Sequence, residues 1–364
     1  MSRMIVLMTL VTTTSLVGAE EQPLTVIDNS IGISQVVDIN RHGQVVGKKE
    51  IPVPALGLGQ IPYFYDGDGE APIEALDGYT NIEPEALSDR GQVVGFVSRA
   101  LGHPEGSLRA FVWNSATRRI AGLEMLEGHR GSHALDISAD GSRIVGYSTG
   151  AGPPQMVPCL WEHSEDGSWR CRQLSTIHAY NPVLLASRVV VSDNGELIAA
   201  CITAKVVEGE IPIYQNALFR WQRQEGEWER QHLRDGSFCL YGINNHGMLA
   251  GSVVVDGKRR AFVFDPEDGF QIIELLEGDE SGQALALNNE GTVVGYSDDP
   301  YGPIGGPRAF IWSHGKMSPL QFPVATLYSS AQAINDQGQI GGYYETEPAA
   351  EDGQSDMVSF LLSP

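Results

Sequence analysis

Helical periodicity is missing from this chain: no stretch of ten or more residues repeats its apolar positions at a helical interval. That excludes a fold built on amphipathic helices. Cysteine is scarce, with four among 364 residues, which is too few for a disulfide scaffold. Positive charge is scarce too: 24 Lys and Arg face 46 Asp and Glu, leaving a formal charge of -22. Such a surface repels nucleic-acid phosphates and anionic lipid, so neither is an expected partner. Metal-ligand spacing is also wanting. Of the nine histidines only His129 and His133 are suitably close, without a third ligand. The "DGDGE" of residues 66–70 lacks the rest of a twelve-residue calcium loop and reads as a hairpin turn. No metal and no cofactor are expected.

No apolar run is long enough to span a bilayer, which takes ~20 residues. The nearest, "MIVLMTLVTTTSLV" (4–17), follows Arg3 and precedes the small residues Val17, Gly18 and Ala19. This is the pattern of a cleavable export signal over 1–19. The mature chain, 20–364, is then expected outside the cytoplasm, secreted or periplasmic, and not inserted in a membrane. Export would permit a disulfide. Cys159 and Cys171 flank the turn "SEDG" (164–167) and could face each other across a hairpin, with Trp161 and Trp169 paired on the same face. A one-residue slip would separate both pairs. Cys201 and Cys239 read as buried thiols.

Glycine is abundant, at 42 residues, and its placement is periodic. Seven segments share the pattern apolar, Asn or Ser, two residues, Gly: "VVDINRHG" (36–43), "EALSDRG" (85–91), "ALDISADG" (134–141), "VVVSDNG" (189–195), "LYGINNHG" (240–247), "ALALNNEG" (284–291) and "AQAINDQG" (331–338). The glycines are spaced by 48, 50, 54, 52, 44 and 47 residues. Each is followed by an apolar run and then by an aromatic element such as "AFVW" (110–113), "AFVF" (261–264) or "AFIW" (309–312). Each unit reads as four short strands, here lettered A to D. Seven such units predict an all-β chain, a seven-bladed β-propeller of four-stranded antiparallel blades. The last unit ends at strand C, "SFLL" (359–362), while "LTVID" (24–28) is unassigned. That N-terminal strand is expected to complete the last blade and close the ring.

The recurring motifs read as structural. Asn40, Ser88, Ser138, Ser192, Asn244, Asn288 and Asn335 open type I turns, and the glycine three residues on takes the left-handed conformation. A second glycine follows at 47, 95, 146, 251, 295 and 342, with Ala199 in its place in unit four. It marks a close approach, expected from a large side chain of the adjacent sheet such as the strand C aromatic. A phosphate loop would need a helix after these glycines, whereas a β-run follows. "GYSTG" (146–150) matches a nucleophile elbow, but Ser148 falls on strand B with no helix after it. Arg109, Arg260 and Arg308 each precede Ala-Phe and suit an ion pair between blades or a ligand carboxylate.

The stretches "SHALDISADGSRIVGYS", "SGQALALNNEGTVVGYSDDPYGPIGGPRAFIW" and "GQVVGFVSRALGHPEGSLRAFVW" resemble the HAF repeats of extracellular bacterial proteins. The resemblance covers essentially the mature chain. It implies export and a propeller-like repeat fold, and it implies no assigned activity. Members of that family carry histidine before Ala-Phe; three units here carry arginine.

The A–B turns are short and uniform, whereas the B–C segments are long and dissimilar. Variable loops on a rigid scaffold are where binding resides, so the functional face is expected on the B–C/D–A side. The candidates there are His103, Arg109, His129, Arg130, His133, Asp298, Asp299, Tyr301 and Arg308. The expected function is a monomeric binding or scaffold module for an extracellular glycan or protein, without catalysis. The alternative is a carbohydrate-active hydrolase or lyase, and a purely structural surface protein is a third reading.

Overall fold

The computed structural model describes residues 24–28, 34–53, 57–99, 108–150, 156–164, 166–174, 185–206, 213–299, 306–346 and 357–364. The expected export signal, His103 and Tyr301 lie outside them, as do large parts of the B–C loops.

Every element of the described residues is a strand, and the strands group into seven antiparallel blades of four. The inner strand A of each blade contacts strand A of the next, and Ser34–Ile39 of blade one meets Thr326–Ile334 of blade seven. The ring is therefore closed around an axis lined by strand A. Leu24–Asp28 supplies the outer strand of blade seven, pairing Leu24 with Leu362 and Val26 with Phe360. The closure expected from the sequence is present.

Packing explains why strands B read as continuous apolar runs. Each is buried on both faces, one against the preceding blade and one against the following blade. Val93 packs with Val46 and Phe64 of blade one, while its neighbour Val94 packs with Ile144 and Trp161 of blade three. Seven such clusters fill the seven interfaces. The Ala-Phe pair of strand C has the same logic. Phe262 and Phe310 fill space toward the preceding blade, whereas Ala261 and Ala309 leave room for the following one.

The A–B turns form as the sequence implies. The amide of Gly43 donates to the Asn40 carbonyl at 3.0 Å, and the seven glycines have φ between 67° and 81°. Asn40 Oδ1 accepts from the amides of His42 and Gln44 at 3.0 and 3.1 Å. The asparagine does more than close its own turn, however. Its Nδ2 donates to the carbonyl of Ser88 in blade two at 3.0 Å. Asn244, Asn288 and Asn335 reach the following blade in the same way, at 3.1, 3.2 and 2.9 Å. Serine is too short for this. In blades two and three the backbone itself makes the link, Asp89 N to Ala139 O and Ala139 N to Asp193 O, at 2.9 and 3.0 Å.

The second glycine does not face a side chain of the adjacent sheet. In all six blades that carry it, it opposes a β-bulge in its own strand A, as in Pro84↔Gly95 followed by Ala86↔Val94. A Cβ at Gly95 would overlap the Glu83 carbonyl oxygen that the bulge drives toward it. The strand C ring adds to the crowding at Gly47, Gly251 and Gly342, where Tyr63, Phe262 and Phe360 approach. Blade four confirms the cause. Its strand B, like that of blade three, has one residue more between the turn glycine and this position, so Ala200 rather than Ala199 takes the glycine's place. The bulge is displaced to Ala186–Arg188, Ala200 pairs regularly with Val189, and there the methyl group is accommodated.

Cys159 and Cys171 do share a face, but the strand register sets Cys159 opposite Gln173 and Trp161 opposite Cys171. Each expected pair is thus diagonal rather than directly opposed. Cys201 is buried and Cys239 half-buried, and no disulfide joins any of the four. Ser148 lies within strand B of blade three, fully buried, donating to Gly131 O at 3.2 Å and accepting from Leu126 N at 3.3 Å. The "DGDGE" segment is a hairpin turn closed on Asp66 Oδ1.

Candidate functional site

At the A–B end of the axis the seven turns enclose a cavity of about 530 Å³. Every blade contributes, and the lining carries Asp38, Asp89, Asp136, Asp140, Asp193 and Asp336 against Arg41 and Arg90. The turns are locked to one another by the residue after the Asn or Ser. Arg41 N donates to Asp89 Oδ1 at 3.0 Å, and the amides of Asn194, Asn245 and Asn289 donate to Asn245, Asn289 and Asp336 at 2.8 Å each. Asn289 Nδ2 also reaches past blade five to Asp193 Oδ2 of blade four, at 2.7 Å. The mouth is a fixed ring of acceptors.

Two aspartates at its floor, Asp38 and Asp136, occupy the same position of strand A in blades one and three. Asp38 accepts from its neighbour Ile39 N at 2.8 Å and from Leu87 N of blade two at 2.7 Å. Asp136 repeats this with Ile137 N and Val191 N of blade four, both at 2.8 Å. Enclosure by the surrounding protein, opposed by these amides, pushes Asp38 up to about 7, helped by Asp136 and Asp193. Asp136 is likewise pushed up to about 7 by enclosure. Asp193 rises to about 6, through enclosure and then its neighbours Asp336 and Asp89.

A second polar group lies toward the other end of the strands. His133 faces Glu85 Oε1 through Nε2 at 3.1 Å and the Tyr147 hydroxyl through Nδ1 at 2.6 Å. Arg188 of blade four approaches Glu85 Oε2 at 3.4 Å and lies 5.8 Å from the Tyr241 ring. Tyr241 in turn donates to Gln283 Oε1 of blade six at 2.6 Å. Burial opposes ionisation of Glu85, but the His133 hydrogen bond, Arg188 and Lys48 together hold it below its ordinary range. Burial and the Glu85 charge push Tyr147 up to about 12.

The residues expected from sequence are scattered over this frame. His133 belongs to the second group. His129 and Arg130 begin the same strand; His129 is half-buried with Nδ1 unpartnered, and Arg130 is exposed. Arg109, half-buried in blade two, has its Nε buried without a partner. Arg308 is an inter-blade tie, 2.8 Å from both Asp279 Oδ1 and the Glu277 carbonyl in the connection from blade five. Asp298 accepts the Ser281 hydroxyl, and Asp299 is half-buried. Among the described residues no hydrogen bond or ion pair joins Arg109, His129, Arg130 or His133 to Asp298 or Arg308. Asp38, Glu85, Asp136, Arg188 and Tyr241 are not among the residues to which the sequence pattern points. The aspartate shared by "VVDIN" and "ALDIS" was the available signal for two of them. No group of three His, Cys, Asp or Glu among the described residues is placed to hold a metal ion.

No protein-family model matches the chain, and no curated protein sequence does. Solved structures do resemble it. A prolyl oligopeptidase B from Galerina marginata aligns at 12% identity and a TM-score of 0.58, over 91% of this chain and 52% of that one. A puromycin-hydrolyzing peptidase of Mycobacterium tuberculosis aligns at 12% and 0.52, over 86% and 51%. The β-propeller domain of the Trilobed protease from Pyrococcus furiosus gives 12% and 0.52, over 91% and 94%. The chain spans about half the length of the first two. At these identities the likeness is one of fold. The Pyrococcus domain is described as having an open velcro topology, whereas this ring is closed by Leu24–Asp28.

Proposed function

We propose that the chain is a binding module, exported and without catalysis, that takes a positively charged segment of an extracellular protein at the A–B mouth of its axis. The observation that carries this reading is the cavity of about 530 Å³, to which all seven blades contribute and in which six aspartates outnumber two arginines. Its rim is fixed by inter-blade hydrogen bonds before any ligand arrives, so little ordering cost attends binding. Carboxylates and Asn carbonyls converge as acceptors, which suits ammonium and guanidinium donors. A formal charge of -22 favours encounter with such a partner. The repeat likeness to HAF proteins, and with it export, belongs to the same proposal.

The alternative of a carbohydrate-active enzyme gains no support from the axis. Asp38 and Asp136 each hold two backbone amides, and Glu85 is engaged by His133 and Arg188. These carboxylates have structural partners that a general acid or nucleophile would have to leave.

The test is to screen residues 20–364 against peptide and glycan arrays, and to compare Asp89→Asn/Asp336→Asn with Arg130→Ala/Asp299→Ala from the opposite face. A charge-assisted bond contributes about 1.5 kcal/mol, so the first pair is expected to weaken a basic peptide by about tenfold or more. The second pair should leave binding unchanged. Recognition of neutral glycans alone, or loss of binding only in the second pair, would overturn the proposal.

A further inference from the structure

Blade three carries a pair of thiols that the binding reading does not use. Cys159 lies on strand C (Met156–His163) and Cys171 on the outer strand D (Trp169–Gln173), on the same face of their hairpin. Both belong to the cluster between blades two and three. Cys159 is fully buried, burial and the neighbouring Cys171 push its thiol well above the ordinary range, and Cys171 is half-buried. One thiol is therefore reachable from solvent and the other is held behind it.

We propose that Cys159 and Cys171 are a reversible dithiol, closing to a disulfide by exchange with a small-molecule disulfide such as oxidised glutathione. The Cys171 thiolate attacks one sulfur of oxidised glutathione, and one glutathione thiolate leaves. Cys159 attacks the Cys171 sulfur of this mixed disulfide, expelling the second glutathione as a thiolate that takes up the Cys159 proton. Two protein thiols lose two electrons in all, and one glutathione disulfide becomes two thiols. Only Cys171 can begin the reaction, because a buried thiol cannot meet the oxidant.

Geometry makes this bond a labile one. Diagonal neighbours in a sheet lie roughly 7–8 Å apart, beyond the roughly 4.4–6.8 Å between the Cα atoms of ordinary disulfides. Closing it requires strand D to slide along strand C. That strand pairs with strand C alone, and its other edge carries no partner among the described strands. The edge position that allows the movement also leaves the bond strained, and strained disulfides are the readily reduced ones.

The experiment incubates the full chain with oxidised glutathione, alkylates it after unfolding, and maps the peptides by mass. Two of the four thiols are expected to become unreactive, with a cross-linked peptide joining residues 159 and 171. Excess reduced glutathione should restore all four. Cys171→Ser, at a half-buried position, should remove the cross-link while retaining the wild-type circular dichroism. Four reactive thiols after oxidation, a glutathione adduct persisting on Cys171, or a cross-link between any other pair would overturn the proposal. Retention of the cross-link in excess reduced glutathione would overturn the reversible part of it.

Discussion

Replacing Asn335 by serine and by alanine separates two roles that one side chain performs. Asn335 is buried. Its Oδ1 takes the amides of Gln337 and Gln339 at 3.1 and 3.0 Å, and its Nδ2 crosses to the Asn40 carbonyl of blade one at 2.9 Å. Serine can keep part of the first role, since Ser88 Oγ takes the Gln92 amide at 3.1 Å in blade two. It cannot perform the second. The Asn40 carbonyl retains the Gly43 amide at 3.0 Å, so no acceptor is orphaned between the blades. Serine also gives up the Nδ2 bond to Gln339 Oε1 at 2.8 Å, and the two lost bonds are worth about 1–3 kcal/mol together. Alanine removes the two turn bonds as well, for a total of about 2–6 kcal/mol. Urea unfolding of wild type and both variants, fitted with a shared slope, reads the two steps. If Asn335→Ser unfolds with the wild type while Asn335→Ala is fully destabilised, the inter-blade bond contributes nothing. The asparagine would then be a turn residue only.

Gly95→Ala should cost about 1–3 kcal/mol because its methyl meets the Glu83 carbonyl at the bulge, whereas Ala200→Gly should cost only about 0.5–1 kcal/mol; equal costs would remove the bulge as the cause. Asp38 and Asp136 keep their protons up to about 7 when folded but release them near 3.8 when unfolded. The folded state binds more protons between those values, so their contribution makes stability fall as pH rises through that window and level off above it. Denaturant midpoints across this range should slope less in Asp38→Asn/Asp136→Asn than in wild type, and parallel profiles would refute the assignment. Deleting residues 20–30 removes the outer strand of blade seven and leaves the Phe360 strand with an open edge. The melting temperature should drop, and an unchanged value would show that ring closure does not depend on this strand.

The repeat was legible because each blade buries the same positions, so apolar runs, turn glycines and Ala-Phe recur whatever the function. Blade count, turn conformation and ring closure followed from it. What the pattern could not convey was backbone geometry. Gly95 is required by a carbonyl displaced in Glu83, which no side-chain pattern records, although the alanine pair 199–200 marks the one blade in which the bulge lies elsewhere. The reach of Asn40 to Ser88 was hidden for a different reason, since turn chemistry alone accounts for asparagine there. The site was least legible. Glu85, His133 and Arg188 come from three blades and are brought together only by ring closure, and each unit taken singly shows an unremarkable charge on a strand.

The displaced bulge of blade four has an effect beyond its own strand. Six blades place an apolar residue, such as Val36, Ala134 or Leu240, four positions before the turn Asn or Ser and bury it. Blade four has Arg188 there, and it extends to Glu85 two blades away. Seven equivalent blades would present a ligand on the axis with seven equivalent directions. With Glu85, His133 and Arg188 on one side and Tyr241, Gln283 and Tyr296 on the other, the axis has a front and a back. A ligand on the axis would meet a single rotational setting, to which a local change in strand pairing contributes the arginine.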